Sequence, residues 1–438
     1  MHISKRVSVP GDSLLSRHAL VSRAWWGVGA LGLSLVLGGC KQPGETTGTG
    51  GNAAPSGGSG NGTTPAASIG KAAPYSGSDI LLGEYGSLTG STATFGTSSD
   101  HAIQMATEEQ NAKGGIISRQ IRVEVADDAS DTSQASTVVR KLINSSNVLA
   151  ILGEVASSRS LAAAPICQAA GVPMLSPSST NPSVTEKGDY IFRSCFIDTF
   201  QGGVMSKFAH DVLKAKKVAV ITDSANDYSK GLRDVFTADW TKKGGQIVAE
   251  GASYGKEKNF RAVLTTVQAA NPDVIFVPGY YTEVAALANQ AREQGIKQPL
   301  IGCDGWDSPD LFKIGGKSVQ DCYYSDHYSP DSKDPKVQEF VANYKKKYGE
   351  VPDALAACAY DAAYIMFDAI KRASKDGKTI PERAAIRDAL AQTKDFKGVT
   401  GVITMDPQRN ASKPATIVQV KGDSSVFVTS YTPQQVGS

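Results

Sequence analysis

The chain has 438 residues, 41% hydrophobic and 7% aromatic, a composition ordinary for a soluble globular protein. Lys and Arg number 45 against 43 Asp and Glu, a near balance that gives no electrostatic footprint for nucleic acid or for an anionic lipid surface. No Cys-x-x-Cys pair exists and only His101, His210 and His327 follow residue 40, so neither zinc nor any other cofactor is expected.

The N-terminus reads as an export signal. Lys5, Arg6, Arg17 and Arg23 precede the apolar run Trp25–Leu37, which is about half the ~20 residues needed to span a bilayer. Leu37-Gly38-Gly39-Cys40 resembles the lipobox of bacterial lipoproteins, in which the Cys is acylated and becomes the first mature residue. The expectation is a signal over residues 1–39 and a lipid on Cys40. Such a protein is exported and held on a membrane facing the periplasm or the cell exterior. From Lys41 to Ser78 the chain is nearly all Gly, Ser, Thr, Ala, Pro and Asn, with no apolar periodicity. That composition predicts a flexible tether of roughly 34 Å r.m.s. reach.

From Asp79 onward strands and helices alternate. The apolar runs Ile80–Leu82, Ile121–Ala126, Val148–Leu152 and Pro173–Leu175 read as buried parallel strands, and Ser98–Asn111, Ser133–Ile143 and Ser158–Ala170 as helices between them. A second block repeats the pattern, with strands at Lys217–Thr222, Gln246–Ala249, Val274–Val277 and Leu300–Gly302 and helices at Tyr228–Lys243, Phe260–Ala269 and Thr282–Gln294. Lys345-Lys346-Lys347 is read as the solvated face of a helix. The fold class is α/β, with two doubly wound parallel sheets.

Ligands in such sheets bind beyond the carboxyl ends of the strands. In the first block those ends carry Gly-Glu-Val-Ala-Ser-Ser (153–158) and Ser-Pro-Ser-Ser-Thr (176–180). In the second they carry Asp-Ser-Ala-Asn-Asp-Tyr (223–228), Pro-Gly-Tyr-Tyr-Thr-Glu (278–283) and Cys-Asp-Gly-Trp-Asp (303–307). Hydroxyls, aromatic rings and a carboxylate therefore collect at one edge, as a cleft for a small polar molecule requires. Gly251-Ala252-Ser253-Tyr254-Gly255 matches the nucleophile-elbow pattern. It is set aside because no helix follows at once and His327 is the only histidine downstream, so no enzyme is expected.

Cysteine usage suits an oxidising compartment. Cys167–Cys195 and Cys303–Cys322 are the preferred disulfide pairings, although spacing alone does not fix connectivity. Cys358, in the apolar run Ala354–Ile370, is expected as a buried thiol.

Over residues 79–428 the order and spacing of several segments resemble a known family. They are LLGEYGSLTGSTATFG (81–96), NAKGGI (111–116), VADDASD (125–131), SPSSTNPSVTEKGDYIFR (176–193), FIDTFQG (196–202), YSKGL (228–232) and PGYYTE (278–283). The chain is similar to the type I periplasmic binding proteins of branched-chain amino-acid ABC transporters, the Leu/Ile/Val-binding type. The resemblance implies two lobes joined by three crossings, near Phe200, Tyr328 and Lys397. Lobe 1 then comprises 79–199 with 328–397, and lobe 2 comprises 200–327 with 398–438. It also implies a monomer that closes on a free amino acid and delivers it to an inner-membrane permease. By the same resemblance Ser157 binds the ligand carboxylate at a helix N-terminus, with Ser178 and Thr180 on a second contact loop. Asp304 pairs with the ammonium, Tyr228 and Tyr280 form aromatic walls, and Phe95, Glu154 and Trp306 line the side-chain pocket. Two departures bear on ligand identity. Arg159 stands where a small polar residue is usual, either facing solvent or adding a cation to the cleft, and Glu154 with Trp306 differs from a purely aliphatic pocket. The other reading of the same fold is a sensing module for amides, urea or small aromatic acids.

Overall fold

A computed structural model of the chain describes residues 70–253, 255 and 258–436. Cys40, the signal and most of the tether lie outside them. The chain first lays down β1 (Ile80–Gly86), α1 (Ala93–Ala112), β2 (Ile121–Asp127), α2 (Thr132–Asn144), β3 (Ala150–Leu152), α3 (Ser157–Ala170), β4 (Met174–Ser176) and β5 (Ile191–Arg193). These strands form a parallel sheet in the order β2-β1-β3-β4-β5. Strands β3 and β4 are buried along their whole length, which is why Val148–Leu152 and Pro173–Leu175 read as apolar runs rather than alternating ones; β5 is buried too, but it ends in Arg193.

A second unit begins with α4 (Asp198–Asp211), whose Phe200, Val204 and Phe208 lie in its core, and continues with β6 (Lys217–Asp223), α5 (Asp227–Lys242), β7 (Gln246–Ser253), α6 (Arg261–Ala270), β8 (Val274–Phe276), α7 (Tyr281–Glu293), β9 (Leu300–Gly302), α8 (Pro309–Gly315) and β10 (Tyr323–Asp326). The chain then returns to the first sheet with α9 (Pro335–Tyr348), α10 (Ala354–Ala373) and α11 (Arg383–Ala391). A small antiparallel sheet follows, made of β11 (Phe396–Gly398), β12 (Gly401–Met405) and β13 (Ala411–Ser412). Last come β14 (Ala415–Lys421), β15 (Ser424–Tyr431) and the short α12 (Pro433–Val436). Strands β14 and β15 complete the second sheet, ordered β15-β14-β10-β9-β8-β6-β7. Two lobes of α/β architecture result.

Each sheet is covered on both faces. In lobe 1, α1 and the alanine-rich α10 close on one face through Ala102, Ile103, Ala359, Ala363 and Met366. Val139, Leu142, Ile166 and Cys167 cover the other. In lobe 2, Leu264, Leu287 and Trp306 lie in one core and Leu232, Phe236 and Trp240 in the other. No helix among the described residues is long and apolar enough to cross a membrane.

Three expectations change. The chain crosses between the lobes between Arg193 and Phe196 and at His327, but the third crossing falls at residues 413–414 rather than near Lys397. Val399, Ile403 and Ala411 belong to the core of lobe 1, and Ala415 is the first residue back in lobe 2. The cause is Asp361 of α10, which accepts from Val399 N–H (2.7 Å), Thr400 N–H (2.9 Å) and the Thr400 hydroxyl (2.7 Å) and so holds that turn on lobe 1. The tether also ends sooner than Ser78. Ala72 N–H donates to Ala170 O (2.9 Å), and Arg383 and Asn147 donate to the carbonyls of Ala73 (2.6 Å) and Pro74 (3.2 Å).

The third correction concerns the disulfides, because Cys167, Cys195, Cys303, Cys322 and Cys358 are all buried and free. Strand register explains one missing pair. Gly302 pairs with Tyr324, which places Cys303 beside Ser325, three residues from Cys322. That is about 10 Å along the strand, beyond disulfide reach. In the other pair, Cys167 sits in the core under α3, whereas the Cys195 thiol meets Ser179 O (3.5 Å) beyond the carboxyl end of β5. Burial pushes the Cys195 thiol up to about 12, leaving it neutral.

Candidate functional site

On lobe 1 the site is built where β3 and β4 end. Ala156 is the N-cap of α3 and offers no side-chain acceptor; the Arg159 and Ser160 N–H groups donate to Ala156 O (both 3.1 Å), which leaves those of Ser157 and Ser158 for an anion. Ser157 is buried at that terminus and its hydroxyl accepts from Asn181 N–H (3.2 Å), fixing the 176–181 loop against the helix. Ser178 Oγ and Thr180 Oγ1 are buried and complete no hydrogen bond. A helix terminus and unpartnered hydroxyls thus stand together.

Lobe 2 supplies the opposite wall. Asn226 caps α5 by accepting from Tyr228 N–H (3.0 Å), which sets Tyr228 in the first turn. Its hydroxyl donates to Asp304 Oδ1 (2.8 Å) and accepts from Gly305 N–H (2.9 Å), and its ring stacks on Tyr280 at 5.2 Å. Asp304 is only 3% exposed. Gln201 Nε2 also donates to its Oδ1 (2.9 Å), and Oδ2 lies 3.1 Å from His327 Nε2.

Asp198, like Gln201 and His327 beside Asp304, is a site residue that sequence reasoning missed. It begins α4 with no exposed surface, and its Oδ2 is buried and completes no hydrogen bond. Burial pushes its carboxyl up to about 7; the Thr180 hydroxyl, nearby but outside hydrogen-bond geometry, pulls down, Asp304 pushes further up, and Arg193 pulls down. The signal was present in FIDTFQG (196–202), which supplies both Asp198 and Gln201.

The lobes are closed on each other. Phe95 of lobe 1 meets Tyr280 edge-on at 5.4 Å and Tyr281 at 5.1 Å. Val155 and Leu355 of lobe 1 share an apolar cluster with Phe95 and the lobe 2 aromatics. Thr94 and Ser308 hydroxyls pair across the gap (3.0 Å), and Thr282 donates to Ser91 O (3.2 Å).

The two departures have structural answers. Arg159 is buried at 7% exposure, so it does not face solvent. Its Nε donates to Glu154 Oε1 (2.9 Å), its Nη2 donates to Thr92 Oγ1 (2.9 Å), and Asp128 lies 3.7 Å away. Glu154 Oε1 also accepts from Ser87 (3.1 Å), and Oε2 accepts from Ala156 N–H (2.5 Å). Burial raises the Glu154 carboxyl to about 7 despite Arg159. Both charges are thus taken up within lobe 1. Trp306 is turned into lobe 2, its indole N–H donating to Val277 O (3.0 Å). Its ring lies over Gly302, where a Cβ would sit 2.0 Å from the indole and could not fit. Among the described residues no cluster of His, Cys, Asp or Glu could hold a metal ion.

In sequence and fold the chain is similar to known proteins. The sequence pattern of the periplasmic binding protein family covers residues 80–425. An amino acid binding protein of Pseudomonas aeruginosa is 36% identical over 240 residues, 54% of this chain and 64% of its own, so the alignment spans under two thirds of that relative. The leucine binding protein LivK of Thermotoga maritima superposes with a TM-score of 0.77 at 36% identity, over 81% of this chain and 99% of that one. The branched-chain amino acid transporter substrate binding protein LivJ of Streptococcus pneumoniae, solved with isoleucine, gives 0.75 at 35% identity, over 80% and 99%.

Proposed function

The chain belongs to the periplasmic binding protein family, and from that premise we propose that it is the extracytoplasmic substrate-binding component of an ABC importer. Its ligand is a free L-amino acid, branched-chain or otherwise aliphatic, captured between the lobes. The observation that carries this reading is the pairing of opposite chemistries across one closed cleft. An uncapped helix terminus with Ser157, Ser178 and Thr180 suits a carboxylate. Asp198 and Asp304 suit an ammonium, and Phe95, Val155, Leu355, Tyr228 and Tyr280 suit an aliphatic side chain. The similarity to LivK and to isoleucine-bound LivJ supports the same ligand class. In this reading the protein binds and does not catalyse. A lipid on Cys40 keeps it at the membrane, and the closed form delivers its ligand to a permease.

One observation favours a second reading. Asp304 already engages Gln201, Tyr228 and His327, a setting that also suits a ligand without an ammonium, such as a small aromatic acid or an amide. A thermal-shift screen of the twenty L-amino acids, urea, small amides and hydroxybenzoates separates the two. Near 100 times its dissociation constant a true ligand stabilises by about 2.7 kcal/mol. We expect the response from leucine, isoleucine or valine; a response from amides or aromatic acids alone would replace this reading with the second.

A further inference from the structure

His327 has the most telling position outside the cleft walls. It is the first residue after β10, where the chain leaves lobe 2 for lobe 1. Its ring packs on Phe196 of the first crossing, centroids 4.0 Å apart, and its backbone N–H donates to Asp326 Oδ1 (2.8 Å). It also lines a cavity of about 620 Å³ with Thr400 and with Pro414 of the third crossing. One histidine therefore touches or faces all three connections.

On its other side the same ring reaches the ligand cleft. Nε2 lies 3.1 Å from Asp304 Oδ2, and Nδ1 is buried and completes no hydrogen bond. Gln201 and Tyr228 both hold Oδ1, so His327 is the one side chain among the described residues that holds Oδ2. A carboxylate oxygen accepts and cannot donate, which assigns the proton to Nε2 and the lone pair to Nδ1. Burial lowers the pKa of this imidazole, Asp304 raises it and Lys413 lowers it, with a net shift downward. The ring is therefore neutral at neutral pH.

We propose that His327 is a positioning residue for ligand binding: its Nε2–H fixes the Asp304 carboxylate toward the cleft and ties it to the segments that join the lobes. The inference rests on the reading that Asp304 pairs with a ligand ammonium. It goes beyond that reading in naming what orients the carboxylate and how the cleft is linked to the hinge.

Two measurements test it. The first needs no ligand: ¹⁵N-histidine NMR of the whole protein, with the His327 signal assigned through His327→Gln. A neutral Nε2–H tautomer that shifts in Asp304→Asn is expected; an Nδ1–H tautomer, or one indifferent to Asp304→Asn, overturns the proposal. The second compares calorimetric affinities for L-leucine and for its 2-hydroxy analogue, which lacks the ammonium. His327→Phe keeps the ring on Phe196 and removes the donor, and should weaken L-leucine binding about tenfold or more. His327→Gln should recover most of that loss, and the hydroxy analogue should lose much less. Equal losses for both ligands would make His327 a purely structural hinge residue and overturn the proposal. If the wild-type protein responds to no amino acid, the ligand reading fails, while the tautomer measurement still decides the His327–Asp304 contact.

Discussion

Ser158 of lobe 1 and Asp227 of lobe 2 hold each other twice: the Ser158 hydroxyl donates to Asp227 Oδ2 (3.1 Å) and accepts from Asp227 N–H (3.0 Å). Asn181 of lobe 1 adds a bond to Asp227 O (2.9 Å). These contacts join the N-termini of α3 and α5, beside the residues assigned to the ligand. They belong to the closed arrangement, so they favour it independently of what the cleft contains.

Ser158→Ala removes both hydroxyl bonds and leaves the Ser157 and Thr180 side chains in place. Two partly exposed hydrogen bonds contribute about 1–2 kcal/mol together, so affinity should fall roughly 5- to 30-fold, by the same factor for every ligand that binds. X-ray scattering of the ligand-free variant should give a larger radius of gyration than wild type. A change in ligand preference instead would show that Ser158 reads the ligand.

Within the cleft the two ends should respond unequally. Asp304→Asn removes the counter-charge of a buried ammonium and should cost roughly 2–5 kcal/mol of binding. Ser157→Ala should cost about 1–3 kcal/mol, since the N–H groups of α3 still face the carboxylate. Calorimetry on both variants checks the order; wild-type affinity in Asp304→Asn would remove that residue from the site.

The buried carboxyls predict a pH dependence. Asp198 and Glu154 are each raised to about 7, against about 3.9 and 4.3 in an unfolded chain. Between those values the folded protein binds more protons than the unfolded one, so stability falls as pH rises from about 4 to 7. Melting temperature should therefore drop across that window, and Asp198→Asn should remove part of the slope, leaving the contributions of Glu154 and of the other carboxyls that burial raises, among them Asp353, Asp326 and Glu84. An ammonium beside Asp198 favours the ionised carboxyl, so ligand should release protons and bind more tightly as pH rises toward 7. Calorimetry in buffers of different ionisation enthalpy reads that release directly.

Cys40→Ala should move the protein from the detergent-extracted membrane fraction to a soluble or precursor form, and wild type should take up a palmitate label. Membrane retention of the variant with no label on wild type would remove the lipid anchor.

The strand–helix alternation, the two blocks and the loops that carry Ser157, Thr180, Tyr228 and Asp304 were legible in the sequence. A strand buried on both faces must be an apolar run, and a helix terminus beside it must carry polar capping or binding groups, so both leave local signatures. Strands β5 and β10 left no such signature, because Ile191-Phe192-Arg193 and Tyr323-Tyr324-Ser325-Asp326 mix apolar with polar or charged residues although both strands are largely buried. Tertiary structure alone decided that Arg159 and Glu154 pair inside lobe 1, that Cys303 and Cys322 lie out of register, and that Asp361 delays the third crossing. It also decided that Asp198 and His327 meet the site at all. Apart from the Arg159–Glu154 pair, five residues apart across the turn into α3, each of these is a choice of partner between residues distant in the chain or held apart by strand geometry. Composition, spacing and periodicity carry no record of such choices, because they are made by packing and by the need of buried polar groups to find one another.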